Sequence, residues 1–130
     1  MHDRDLSTQP AADRAAAVTE LIADTVPEGV DTAQLVSWSD RLVAASAPDV
    51  FSLAVRLTDA QTMRTLNRRY RGKDSPTDVL SFPGQTSPEG RHLGDIVVAV
   101  PVASRQADEA GHSLEIEIKT LILHGVLHCL

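Results

Sequence analysis

The chain has 130 residues, 42% of them hydrophobic and 23% charged, with a formal net charge of −6 at pH 7. A chain of this length forms one domain and buries roughly two-thirds of its unfolded surface. The negative charge argues against strong non-specific nucleic-acid binding, and no apolar run reaches the ~20 residues that span a bilayer. The polar start predicts no secretory signal. The single cysteine, Cys129, excludes an internal disulfide and fits a reducing cytoplasm.

Two regions of the chain differ in composition. Residues 1–16 are mostly polar or alanine, and we predict a loose N-terminal tail there. Residues 17–130 carry the periodic apolar patterns of one folded domain. The run "AVTELI" at 17–22 is ambiguous between a strand and part of a helix, because it is too short for its periodicity to decide.

The first clear helix and strand are predicted between residues 31 and 57. Asp31 and Gln34 form a capping-box pattern, so a helix should begin after Asp31. It should end near Ala47, because Pro48 disfavours a helical residue before it. The segment "FSLAVRL" then alternates between apolar and other residues, which predicts a half-buried strand. Its predicted inner face comprises Phe51, Leu53, Val55 and Leu57.

A second helix and two strands are predicted next. Thr58 and Gln61 form another capping box, and Gly72 suits the exit of this helix. The segments "VLSFP" (79–83) and "LGDIVVAV" (93–100) have the composition of strands. A turn-rich connection joins them, so these two strands follow one another without a helix between them.

Two helices complete the chain. Pro101 suits a first helical position and Gly111 a helix exit, which predicts a short helix between them. Ser113 can cap a last helix whose first turns carry Glu115 and Glu117, favourable near the positive end of the helix dipole. Helices and strands therefore alternate, with two successive strands near the middle. This pattern predicts an α+β layered domain.

Two histidines in the last ten residues, "LILHGVLHCL", have the spacing of a metal site. His124 and His128 are four residues apart, so on a helix their Cβ atoms lie about 5–6 Å from each other on one face. Two imidazoles so placed can bind one metal ion, each ring nitrogen roughly 2.0–2.1 Å from zinc. The spacing alone is weak evidence, since such pairs also occur on solvated or core faces.

Gly125 lies beside the first of these histidines. Glycine inside a helix costs ~1 kcal/mol relative to alanine, so its presence there needs a reason. One interpretation is the close approach of another backbone or of a substrate. The other is tight packing of the helix against the sheet, and the sequence favours neither.

Four cations crowd the end of the second predicted helix, in "LNRRYRGKD" (66–74). They are Arg68, Arg69, Arg71 and Lys73. Cations stabilise a helix C-terminus and charge runs are usually solvated, which explains the cluster without a ligand. Alternatively, an arginine here binds a phosphate, which its planar guanidinium can hold bidentately.

Three acidic residues accompany these features. Asp74 and Asp78, in "DSPTDVLSFP", can orient neighbouring groups, although turn formation explains most of that segment. Asp95 interrupts an apolar strand, so it needs polar partners or water near a sheet edge, or it orients a site residue. The remaining histidines have no spacing that indicates a ligand set, and Cys129 is interpreted as a small buried residue.

Three stretches, taken in order, resemble one protein family. They are "LNRRYRGKDSPTDVLSFP", "LGDIVVAV" and "HGVLHCL". At this separation they look like the YbeY family of bacterial rRNA maturation factors, over roughly residues 30–130. Residues 1–16 carry none of the resemblance, and "AVTELI" falls where the family has its first strand.

The resemblance implies a fold, an activity and partners. The fold is zincin-like: a small mixed four-stranded sheet flanked by helices, with the metal-binding helix at the C-terminus. The activity is that of a metal-dependent, single-strand-specific endoribonuclease in 3′-end maturation of small-subunit rRNA and in ribosome quality control. The implied partners are rRNA and the ribosome or its proteins, in the cytoplasm, with no membrane and no DNA.

The resemblance also assigns roles to residues. His124 and His128 match the first two zinc ligands of the family motif, for one Zn²⁺ per complete site, and Arg71 matches the family's functional arginine. Glu117, on the same helical face, is a candidate acceptor for the outer nitrogen of His124. The family motif continues to a third histidine ligand, and the 130-residue sequence stops at Leu130 before that part of the motif. We therefore expect the 130-residue chain to bind zinc weakly and to hydrolyse RNA poorly.

Two other functions remain open from the sequence. The chain is alternatively a non-catalytic, ribosome-associated factor that binds RNA or protein, with the four cations contacting phosphates. A peptide hydrolase is the weaker alternative, because His-Glu-x-x-His metalloproteases carry their general base beside the first histidine. Gly125 occupies that position here.

Overall fold

A computed structural model of the protein describes residues 17–24 and 26–130, so the predicted tail at 1–16 lies outside the described residues. The described chain contains four helices and five strands, with three successive strands before the last two helices. In chain order they are β1 (Val18–Ala23), α1 (Thr32–Ser46), β2 (Val50–Thr58), α2 (Ala60–Arg71), β3 (Val79–Pro83), β4 (Thr86–Ser87), β5 (Gly90–Ala99), α3 (Val100–Ala110) and α4 (Leu114–Cys129).

The sheet is mixed and has the strand order β1-β2-β5-β3. β1 and β2 are parallel, as are β2 and β5, whereas β3 pairs antiparallel with β5. The predicted count of four strands omits β4, a two-residue strand that pairs with the start of β5 inside the turn-rich connection. The α+β class and the mixed sheet flanked by helices are confirmed, and "AVTELI" belongs mostly to the strand β1.

Side-chain caps fix the starts of three helices. Asp31 accepts from the backbone N–H of Gln34 at 3.1 Å and begins α1, and Ser113 accepts from Ile116 at 3.2 Å and begins α4. The predicted cap at Thr58 is wrong, because Asp59 caps α2 by accepting from Thr62 at 2.6 Å. Thr58 is instead the last residue of β2.

Glycines in the left-handed conformation end two helices, as the sequence predicts. Gly72 has φ +71° after α2, and Gly111 has φ +76° after α3. No Cβ is present to clash in this conformation, so the chain turns directly out of each helix. The turn at Gly72 leads the chain from the end of α2 toward the edge strand β3.

The inner face of β2 differs from the prediction at one position. Leu53, Val55 and Leu57 are buried as expected, but Phe51 is 40% exposed and Val50 is buried instead. The pairing of β2 with β5 shifts its register on both sides of Ser52. Such irregularities rotate the side chains locally, so the strict alternation does not continue to the start of the strand.

Helices cover both faces of the sheet. On one face α1 and α4 pack on the larger core, where Ile118 and Ile122 of α4 belong to the same buried cluster as Ile96 and Val98 of β5. On the other face Met63 of α2 packs with residues of β3 and β5 that alternate with the first set. No helix in the described part of the chain is long and apolar enough to span a membrane.

Candidate metal and phosphate site

The last two turns of α4 carry both predicted metal ligands. His124 and His128 are solvent-exposed, while Ile122, Val126 and Cys129 between and beside them are buried. The end of the helix is held to the sheet by Arg91 of β5, whose Nη2 donates to the Cys129 carbonyl at 3.2 Å. The two imidazoles therefore project from a backbone that packing and a hydrogen bond hold in place.

Gly125 lets this turn of α4 approach the sheet. A Cβ at this position would come within 2.8 Å of Ile96 Cδ1 and 2.9 Å of its Cγ2, closer than side chains tolerate. Ile96 is fully buried in β5, so it has little room to move away. Of the two interpretations of Gly125, tight packing of the helix on the sheet is confirmed.

Arg71 is the last residue of α2, directly before the left-handed turn at Gly72. The loop that follows folds back on the helix through two contacts. Asn67 is almost fully buried, and its Nδ2 donates to the Ser75 carbonyl at 2.8 Å. Arg64 donates to both oxygens of Asp74 at 2.8 and 3.0 Å, so the segment after Arg71 has a defined course.

These elements converge on one groove of about 350 Å³. Its lining includes Arg71 from α2 and both His124 and His128 from α4. The edge strand β3 and Gly125 form the rest of the wall. The structure therefore brings together the three site residues that the sequence places in two distant motifs.

Ser81 is a groove residue that the sequence analysis missed. It lies in β3 and lines the groove beside Arg71 and the histidines. Its neighbours Leu80 and Phe82 belong to the opposite core, so alternation turns the Ser81 side chain toward α4. A hydroxyl among apolar strand residues was the available signal, and the turn-like context before it obscured that signal.

The side chains present fit part of a zinc site. Imidazole nitrogens are common zinc ligands, and helical spacing of four places them within reach of one ion. Across residues 17–24 and 26–130, no three His, Cys, Asp or Glu side chains gather closely enough to hold a metal ion. The described residues thus place two imidazoles at this site, where the resemblance implies three ligands.

Comparisons with known proteins identify the family of this chain. A family model described as Endoribonuclease YbeY matches residues 22–130. The chain belongs to the YbeY family. It is 44% identical to the Endoribonuclease YbeY of Gloeobacter violaceus over 88% of this chain and 63% of that protein. It is 46% identical to the Aquifex aeolicus protein of the same name over 75% of this chain and 65% of that protein.

A solved structure also resembles the YbeY-family fold seen here. The solution structure of TM1509 from Thermotoga maritima has a TM-score of 0.60 and 25% identity, over 85% of this chain and 71% of that chain. The chain spans less than two-thirds of the length of the two curated relatives above. The fold and the family are thereby established for the described domain.

The four cations of the YbeY-like motif diverge in the structure. Arg71 lines the histidine groove, whereas Arg68 faces Asp74 at 3.8 Å and the Arg69 guanidinium lies 5.6 Å from the centre of the Tyr70 ring. Hydrogen bonds from Arg64 lower the pKa of the Asp74 carboxyl below its ordinary value. Asp74 therefore holds the loop after α2 through its contacts with Arg64. Of the four cations, Arg71 is the one that lines the histidine groove.

The suggested role of Glu117 toward His124 is wrong. Glu117 is nearly buried, and its Oε1 lies 3.1 Å from Nε2 of His112. Seven residues of helix span about 10.5 Å, too far for a side-chain contact with His124 along the axis. The signal for the actual pair was His112 at the turn before α4, which has no motif spacing.

Asp78 and Asp95 have other surroundings. Asp78 accepts from the backbone N–H of Val79 at 2.8 Å and from Gln106 at 3.3 Å, so it fixes the start of β3. Asp95 lies in β5, a central strand, and its Oδ1 is 2.8 Å from Nε2 of His92. It faces away from the histidine groove and lines a second groove on the other face of the sheet.

Proposed function

We propose that this YbeY-family domain belongs to a metal-dependent endoribonuclease that cleaves single-stranded RNA. The observation that carries the proposal is the shared groove of Arg71, His124 and His128, about 350 Å³ in volume. The names of the relatives support the same reaction class, since those proteins are called endoribonucleases. A cation beside a pair of metal-binding side chains is the combination that cleavage of an anionic phosphodiester requires.

The residues of the groove have distinct tasks in this reaction. His124 and His128 would hold zinc through neutral imidazole nitrogens on one helical face. When bound, zinc supplies Lewis acidity and lowers the pKa of a coordinated water from ~15.7 to ~7. The Arg71 guanidinium binds phosphate oxygens and stabilises the negative charge that develops on them. The Ser81 hydroxyl, in the same wall, donates a hydrogen bond to the RNA backbone.

The substrate and partners are proposed from the family resemblance. We infer that the RNA is a single-stranded segment at the 3′ end of small-subunit rRNA, reached on the ribosome in the cytoplasm. The net charge of −6 supports delivery by a partner, because the whole surface does not attract RNA strongly. The same groove suits ribosome quality control, where unpaired RNA is also the substrate.

Because we expect the chain to bind zinc weakly, the test is cleavage of a 5′-labelled, unstructured RNA with zinc in large excess. We expect His128→Ala to abolish zinc-dependent cleavage and Arg71→Ala to lower its rate by about 10²–10³-fold, the usual cost of removing a transition-state donor. Arg71→Lys should recover part of the rate, since lysine keeps the charge but not the fork. His112→Ala and Arg105→Ala are matched controls that lie outside the groove.

A non-catalytic binding factor is the competing function. It is favoured by one observation, that no three His, Cys, Asp or Glu side chains of the described residues gather closely enough to hold a metal ion. In that case His128→Ala would leave RNA or ribosome binding intact, and no zinc-dependent cleavage would exist to lose. Cleavage that persists unchanged in both His128→Ala and Arg71→Ala would contradict the assignment of these residues.

A further inference from the structure

We propose that Tyr70 is a stacking platform for one unpaired base of the RNA strand whose phosphate lies in the histidine groove. This inference rests on the proposed function and adds a base-binding site to it. Tyr70 directly precedes Arg71 in the last turn of α2. Tyr70 is 57% exposed and is one of the large hydrophobic residues that the fold leaves in contact with solvent.

The Tyr70 ring is held in one orientation by its neighbours. It meets the Phe82 ring edge-to-face, with centroids 5.1 Å apart and an interplanar angle of 70°. The Arg69 guanidinium lies 5.6 Å from the Tyr70 centroid. An exposed ring fixed by an aromatic contact loses little conformational freedom when a base stacks on it, because its rotamer is already set.

A second groove provides space beside this ring. It has a volume of about 580 Å³ and lies on the face of the sheet opposite to the histidines. Its aromatic and apolar wall includes Tyr70, Phe82, Leu66 and Val97. Small-ligand sites typically measure about 300–1,000 Å³ and are lined in this way, so the groove accommodates a nucleobase.

The two grooves share the edge strand β3. Ser81 faces the histidine groove and the next residue, Phe82, lines the second groove, because successive side chains in a strand point to opposite faces. Tyr70 and Arg71 diverge in the same way, since adjacent helical residues are about 100° apart around the axis. A single RNA strand that crosses the end of α2 can therefore place a phosphate at Arg71 and a base at Tyr70.

The two grooves differ in the charges that line them, so one suits the RNA backbone and the other suits a base. Arg71 makes the histidine groove suitable for phosphate. The second groove carries the carboxylates Glu20 and Asp95 in its lining, and these repel a phosphate. The one cation that the described residues contribute to its lining, Arg56, pairs with Asp24 at 3.1 Å. A neutral base on an aromatic ring is thus the RNA group that this groove favours.

The test is equilibrium binding, separate from cleavage. The protein is titrated into a fluorescein-labelled, unstructured RNA octamer in the presence of a chelator, and anisotropy is measured. We expect Tyr70→Ala to weaken binding by about tenfold, the usual effect of losing one base–aromatic stack, and Tyr70→Phe to stay within about twofold. Phe51→Ala is the control, an exposed aromatic outside both grooves.

Abasic substitution then identifies the base. Moving a single abasic site along the octamer should weaken wild-type binding most at one position, and Tyr70→Ala should add no further loss there. Equal affinity of wild type and Tyr70→Ala, with cleavage still dependent on His128, overturns the stacking site alone and fits a groove that contacts protein instead. A wild-type protein that neither binds nor cleaves RNA overturns the proposed function and this inference with it. A loss in Tyr70→Phe as large as in Tyr70→Ala also overturns stacking.

Discussion

Gly125 of α4 lies directly over the side chain of Ile96 in β5, and this contact sets how closely the histidine-bearing turn approaches the sheet. The missing Cβ would stand 2.8 Å from Ile96 Cδ1. Both residues are buried, and Gly125 also lines the groove beside His124. The geometry of the candidate metal site therefore depends on a packing contact rather than on a ligand.

Gly125→Ala should destabilise the protein. Overpacking a filled core costs typically 1–3 kcal/mol, which exceeds the ~1 kcal/mol that alanine gains in a helix, so we expect a net loss of about 1 kcal/mol. Urea unfolding monitored by circular dichroism measures it. Ile96→Val removes the clashing Cδ1, so the double variant should lose less than the two single variants together. A Gly125→Ala protein more stable than wild type would show that the helix moves freely.

Asn67→Ala should release the loop after Arg71. The variant deletes the hydrogen bond from Asn67 Nδ2 to the Ser75 carbonyl and leaves a buried backbone acceptor without it. We expect a loss of about 1–3 kcal/mol in the free energy of unfolding and slower RNA cleavage, because Arg71 loses its support. Thr65→Ala, on the exposed side of the same helix, is the control and should stay within about 0.5 kcal/mol.

Zinc should bind the 130-residue chain weakly. Two imidazoles of α4 have the spacing that can hold one ion, and no third ligand of the usual types joins them among the described residues. Calorimetric titration should therefore show an affinity well below that of a three-histidine site, and His124→Ala should remove most of it. A stoichiometric zinc that survives dialysis of this chain would contradict the prediction.

Arg71 should contribute to the salt dependence of RNA binding. Each phosphate contact on a single strand adds about −0.7 to the slope of log K against log salt concentration. Arg71→Ala is expected to flatten that slope by about this amount, whereas Arg105→Ala, on α3, should leave it unchanged. The measurement is anisotropy at four salt concentrations. An unchanged slope for Arg71→Ala would mean that Arg71 does not contact the backbone.

Asp24 should make stability depend on pH. Hydrogen bonds from the Thr58 hydroxyl and from Arg56 lower the pKa of the Asp24 carboxyl below its ordinary 3.8. Since the folded pKa is below the unfolded one, the stabilisation is complete above about pH 4–5 and is lost as the pH falls through the folded value. Asp24→Asn should be less stable than wild type at pH 7, and the difference should shrink toward pH 2. Asp108→Asn, an exposed carboxylate of α3, is the control, and a difference independent of pH would contradict the mechanism.

Local signals predicted much of the fold. Asp31, Ser113 and the two exit glycines set helix boundaries through contacts within a few residues, so the sequence reveals them directly. The errors at Thr58 and Phe51 arose where a long-range contact decides the outcome. Thr58 is held by Asp24 across the sheet, and Phe51 turns outward beside an irregular pairing with β5.

The candidate site was predictable in part for the same reason. His124 and His128 share a helical face, which spacing alone shows. The family motif predicts that Arg71 lies near these histidines, but residue spacing does not. Their proximity depends on how α2 and α4 pack on either side of β3. The position of Ser81 in the groove depends on which face of β3 its side chain occupies. The contact of His112 with Glu117 depends on the direction of the turn before α4. Short-range sequence patterns encode neither.

The position of β5 has a consequence for how the protein is made. β5 lies in the middle of the sheet, between β2 and β3, yet of the five described strands it is the last in chain order. His92 of β5 pairs with Ser52 of β2, which lies forty residues earlier in the chain. During translation the edge of β2 that pairs with β5 keeps unpaired backbone N–H and C=O groups until β5 emerges, which favours chaperone binding and slows folding. A nascent chain stopped before β5 should be cleared by proteases.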